Sequence, residues 1–138
     1  MISYISIVTY YQLLIMLTTT PNNTNTSITC NTYSNIDTLL LHNSSTQYAI
    51  PIRSLLLMDF FDDVIQVDTS KNTKLSDITI LYHRWLDKHS ITNPIIKDVT
   101  NYIIGKQLSQ YLSNNYITFT ITNSRTGYYY NFITTKEI

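Results

Sequence analysis

The sequence predicts an α+β fold in which amphipathic helices are closed by a C-terminal antiparallel hairpin. Three observations carry that expectation. Apolar residues recur at helical spacing from Ser54 to Leu112. Two later runs, "YITFTI" and "YYYNFI", alternate with period two. A connection containing Gly127, "TNSRTG", joins them and supplies a residue tolerant of positive φ.

The elements follow in order. "MISYISIVTYYQLLIMLTTT" is an apolar leader, interrupted by Ser3, Ser6, Thr9 and Gln12 and lacking a basic start, so neither a spanning helix nor a signal peptide is expected. Met16 is a second candidate start. "TPNNTNTSITCNTYSN" is a polar linker. "TLLLH" and "QYAIPI" read as two short β-like runs around "NSST". "SLLLMDFFDDVIQVD" then places Leu57, Phe60, Phe61, Val64 and Ile65 on one helical stripe, with Asp59, Asp62 and Asp63 opposite. "TSKNTK" reads as a loop. "LSDITILYHRWLDKH" follows with Ser76 as N-cap and Ile78, Leu81, Tyr82 and Trp85 on one face. Pro94 ends the next turn and opens a short helix, "PIIKDV". "TNYIIGKQLSQYL" forms a longer helix with Ile104, Leu108, Tyr111 and Leu112 inward. Residues 1–35 are therefore assigned to leader and linker, and 36–138 to the folded domain.

Helix, helix, short helix, helix, hairpin is the order of a winged helix-turn-helix with a C-terminal β-hairpin wing. Four stretches carry a resemblance to a known family: "FFDDVIQVDTSKNTKLSD", "LYHRWLDKH", "IIGKQLSQYL" and "RTGYYYNF". Together they resemble the winged-helix DNA-binding module at the C-terminus of viral, phage and plasmid primase-helicases. The resemblance covers roughly residues 54–134, and the spacing Ser76…Tyr82…Trp85 is its most specific part. It implies a stand-alone DNA-binding module, because no phosphate loop of the GK[ST] type and no paired-carboxylate motif is present. Two departures are visible: the stretch from Trp85 to Gly105 is longer than the family's, and the hairpin holds a single cation, Arg125.

Composition bounds the chemistry. With 2 Gly, 3 Pro, 12 Tyr and abundant Ile, Asn and Thr, the chain has the skew that AT-rich codons produce. This fits a viral or plasmid-like source. Net charge is zero but polarised. From Asp37 to Ser70 five carboxylates oppose Arg53, whereas from Lys71 to Lys136 eight basic residues oppose Asp77, Asp87 and Asp98. A basic back half fits a polyanionic partner. The single cysteine, Cys30, excludes an internal disulfide and a Cys-rich zinc site. His42, His83 and His89 lack the spacing of metal ligands, so no metal and no cofactor are expected. No nucleophile–base pattern stands out, and Asp62 and Asp63, adjacent on a helix, splay apart; no enzymatic activity is expected.

The expected partner is double-stranded DNA, in replication or transcription, within the host nucleus or cytoplasm. Phosphate contacts fall to Lys74, Lys97, Lys106 and Arg125. Base readout falls to Asn101, Gln107 and Gln110, whose amides can pair with adenine edges. Tyr128 and Tyr130 share one strand face and Tyr129 takes the other. Alternative readings are a protein–protein adaptor or homodimer on the same fold, and a secreted or virion glycoprotein bearing sequons at Asn22, Asn25 and Asn43. The stretches "TLLLHNSSTQYAIPI", "LSDI" and "YIIGK" also resemble, less completely, the ubiquitin-ligase adaptors of BTB type. A small-molecule substrate and a membrane partner are not expected.

Overall fold

The computed structural model describes residues 46–138, with side-chain packing from Ala49 onward. The leader, the linker, the "TLLLH" run, the three sequons, Cys30 and His42 lie outside the described residues. Seven elements follow in order: α1 (Thr46–Val64), β1 (Ile65–Lys74), α2 (Leu75–Lys88), α3 (Pro94–Lys97), α4 (Asn101–Asn114), β2 (Thr120–Ser124) and β3 (Gly127–Thr135). The strands form one antiparallel sheet in the order β1-β3-β2, and the fold is α+β.

Helix α1 begins earlier than the sequence suggests, and "QYAIPI" is helical rather than β-like. Ala49, Ile52, Leu56 and Phe60 recur at helical spacing and are all buried, so tertiary burial outweighs the extended preference that Ile50 and Pro51 bring locally. Helix gives way to strand at Val64–Ile65 with no loop between. The Val64 carbonyl, which has no helical partner ahead of it, accepts from the Lys136 amide at 2.8 Å.

The segment expected to be a loop, "TSKNTK", belongs to β1, a strand whose alternation is interrupted. Val67 pairs with Ile133 and Asn72 pairs with Asn131, so Asp68 to Lys71 bulge out against Phe132 alone. Ser70 donates from its amide (3.0 Å) and hydroxyl (2.6 Å) to Asp68 Oδ1, closing the bulge. That hydrogen bonding holds the Asp68 carboxyl below its ordinary value. Opposite the bulge, Phe132 takes φ 75°.

Helix α2 starts at Leu75 with Lys74, still extended, in the N-cap position and no side-chain cap; Ser76 lies inside the helix. The strand runs directly into it, leaving no turn for a capping hydroxyl. Asn93 caps α3 by accepting from the amides of Ile95 (2.9 Å) and Ile96 (3.4 Å), with Pro94 at the first turn where its missing N–H costs nothing. Thr100 caps α4 through Ile103 N at 3.3 Å. Arg53 of α1 donates to the carbonyls of Asp98 (3.0 Å) and Ile95 (3.4 Å), tying α3 to α1.

Both α2 and α4 end in paired reverse bonds that require a left-handed residue. Ile91 N reaches Leu86 O and Ile117 N reaches Leu112 O, each at 2.9 Å. The left-handed positions are Ser90 (φ 59°) and Tyr116 (φ 56°), where glycine is usual.

The core is aromatic. Phe60 meets Tyr82 and Trp85 edge-on at 5.2 and 5.8 Å, and Phe61 meets Tyr111 at 5.4 Å. The acidic side of α1 is solvated only in part: Asp63 is exposed, Asp62 is half-buried and Asp59 is buried. Asp63 Oδ2 accepts from Trp85 Nε1 at 2.9 Å, and Asp62 Oδ1 accepts from the Tyr111 hydroxyl at 2.7 Å. Asp59 is buried, and desolvation followed by the charges of Asp62 and Asp63 pushes its carboxyl up to about 6. Asp63 and Asp62 thereby join α1 to α2 and α4.

Candidate functional site

A polar-rimmed opening follows from how α4 meets the hairpin. Gly105 lets the helix approach closely: a Cβ there would lie 3.1 Å from Leu75 Cδ2 and 3.4 Å from the Tyr130 hydroxyl oxygen. Tyr130 is buried, donates to Gly105 O at 2.9 Å and shares a 2.8 Å hydrogen bond with Ser109 Oγ. Burial pushes its phenol up, with Ser109 opposing. On the strand face of Tyr130, Phe119 stacks at 5.8 Å.

Beyond that contact the hairpin overhangs the helix. Period-two alternation puts Tyr128 on the same face as Tyr130, and pairing puts Ile121 opposite Tyr130. The result is a groove of about 490 Å³ whose floor is Gly105, Ser109 and Tyr130. Asn101, Tyr102 and Lys106 of α4 form one wall, and Ile121 and Tyr128 form the other. Tyr102 is 76% exposed and Tyr128 51% exposed, and neither ring stacks on another ring among the described residues. A second depression, about 500 Å³ between Val67, Tyr116 and Phe132, carries no charged side chain.

The structure brings together only part of the residue set expected from sequence. Asn101 and Lys106 line the groove, and Gln110 is exposed one turn beyond Lys106 on the same helix. Gln107 is half-buried. Arg125 is exposed in the two-residue turn between β2 and β3. Lys74 pairs in register with Tyr129, on the other face of the hairpin from Tyr128, and its stem lies against Gly127. Gly127 has φ 131°, the positive value its turn position requires. Lys97 is engaged elsewhere, in a 2.8 Å ion pair with Asp87. Tyr102 is the wall residue that sequence reasoning passed over; its signal is an aromatic outside the inward stripe of Ile104, Leu108 and Tyr111.

Among the described residues no cluster of His, Cys, Asp and Glu is arranged to hold a metal, and no helix is long and apolar enough to cross a membrane. Compared with protein-family models, curated proteins and solved structures, the chain matches none.

Proposed function

We propose that residues 46–138 are a winged-helix module that binds nucleic acid without catalysing a reaction on it. In this reading α4 is the recognition helix and the β2–β3 hairpin is the wing. One observation carries it. From Val99 to Lys136, the stretch that builds both α4 and the hairpin, there are Lys106, Arg125 and Lys136 and not one carboxylate. A helix and hairpin that contribute no acids, on a chain of zero net charge, are what a polyanion would meet with least repulsion. Element order and the β1-β3-β2 sheet support the winged-helix reading. The role, binding DNA in replication or transcription, rests on that surface and on the resemblance described above.

The cations are few, so the affinity expected is that of weak, salt-sensitive binding, about 10⁻⁴ to 10⁻⁶ M at physiological salt. The test is titration of a fluorescent duplex at two salt concentrations. Two to four phosphate contacts give a log–log slope of about −2 to −4. Lys106→Glu with Arg125→Glu should abolish binding and leave the fold intact, since both are exposed. Absence of binding to both the duplex and a single strand at low salt defeats the proposal.

The adaptor reading is favoured by a different feature, the exposed apolar rim of Tyr102, Ile121 and Tyr128. It predicts binding that is insensitive to salt.

A further inference from the structure

We infer that the groove between α4 and the hairpin holds unpaired bases of a single strand, stacked on Tyr102 and Tyr128, with Lys106 on the adjoining phosphate. This deepens the nucleic-acid reading above and rests on it.

The cation supply argues against a duplex as the occupant of this groove. Duplex binding through a helix in the major groove draws its strength from many phosphate contacts. Here Lys97 is already paired with Asp87, and Lys74 lies on the far face of the hairpin. Among the described residues, Lys106 is the one cation lining the groove. What the groove offers instead is aromatic surface. Tyr102 and Ile121 face water from opposite walls, Tyr128 stands beside Ile121, and all three are exposed. A base presents a π-face to a phenol ring whatever its sequence, so two rings on facing walls form a stacking platform.

The charge complements this occupant. A protein partner reading the same rim would find Lys106 and no acid, whereas a nucleotide supplies the anion beside the ring. Asn101, at the first turn of α4, adds an amide that can donate to and accept from a base edge. The platform is also held in place. The Tyr130 hydroxyl bonds both Gly105 O and Ser109 Oγ, fixing helix against hairpin before any ligand arrives.

The experiment titrates the full chain with four labelled probes at equal ionic strength. These are oligothymidylate, oligouridylate, an abasic strand with the same phosphates, and a duplex. Oligothymidylate or oligouridylate should bind more tightly than the abasic strand, and the pair separates DNA from RNA as the source of the bases. Tyr102→Ala and Tyr128→Ala should each weaken binding of the base-bearing strand roughly 5- to 100-fold. Binding of the abasic strand should not change, and Tyr102→Phe should restore the wild-type value. Both rings are exposed, so circular dichroism of the variants should match wild type. Equal binding of abasic and base-bearing strands overturns the inference, as does a Tyr102→Ala, Tyr128→Ala double variant that binds like wild type. If those results accompany duplex binding, the inference falls and the nucleic-acid reading stands. If no probe binds at low salt, both fall.

Discussion

Asp59 gives the sharpest test of the packing described above. It sits on α1 at 8% exposure, one turn from Asp62 and Asp63, and its carboxyl is raised from 3.8 to about 6. Burial is the first cause and the two neighbouring charges are the second. The native state therefore holds a proton that the unfolded chain has released across that interval. Stability contributed by this group is fully present below 3.8 and is lost as pH rises through about 6. That interval corresponds to at most about 3 kcal/mol against the ionised form. Partial access of water screens the charges and brings the expected effect to about 1–2 kcal/mol. Asp59→Asn keeps the shape and removes the charge. The variant should match wild type near pH 4 and exceed it by about 1–2 kcal/mol at pH 7.5. Urea denaturation followed through Trp85, the single tryptophan, reads this directly. Asp68, whose shift has the opposite sign, contributes equally to both proteins and cancels in the difference. A stability difference that does not vary with pH, or a variant weaker than wild type at pH 7.5, would refute the reasoning.

Three further outcomes are expected. Ser90→Gly and Tyr116→Gly should each stabilise the protein by about 0.5–1 kcal/mol in urea titrations, because glycine removes the Cβ penalty at the left-handed ends of α2 and α4. Tyr130→Phe should cost about 1–2 kcal/mol through the lost bonds to Gly105 and Ser109, and should weaken binding in the groove by loosening its floor. His89 lies edge-on to Trp85 at 4.5 Å, and burial first, with Asp63 opposing and Lys88 assisting, lowers its titration point below 6.5. Trp85 fluorescence should fall as pH drops through that lowered value, where the imidazolium forms and quenches, and stability should fall with it. His89→Gln should flatten the fluorescence step.

Helices α2 and α4 were legible because their core positions obey one helical period each. Ile78, Tyr82 and Trp85 are buried, as are Ile104, Leu108, Tyr111 and Leu112. The first strand was not legible, since a four-residue bulge breaks its alternation and most of its side chains face solvent. The start of α1 was hidden by Pro51, which reads locally as a breaker and is overridden by buried Ala49 and Ile52. Within the site, Asn101 and Lys106 could be placed from helical phase alone. The pairing of Lys97 with Asp87 could not, because it depends on how α3 folds back against α2. The same holds for Asp62 and Asp63, whose partners Tyr111 and Trp85 come from distant helices. Acidic residues on a helix read as solvated until the neighbouring phenol and indole are known.

The sheet order β1-β3-β2 also bears on synthesis. The central strand is the last of the described elements to leave the ribosome, and its partner Ile65 lies seventy residues upstream of Thr135. Until β3 emerges, β1 and β2 have no strand between them, and each presents open backbone donors and acceptors. A nascent chain stalled before Gly127 can assemble its helices but cannot close its sheet. Folding of this domain is therefore completed after translation has passed β3, and chains truncated short of it are the species a chaperone or protease would have to clear.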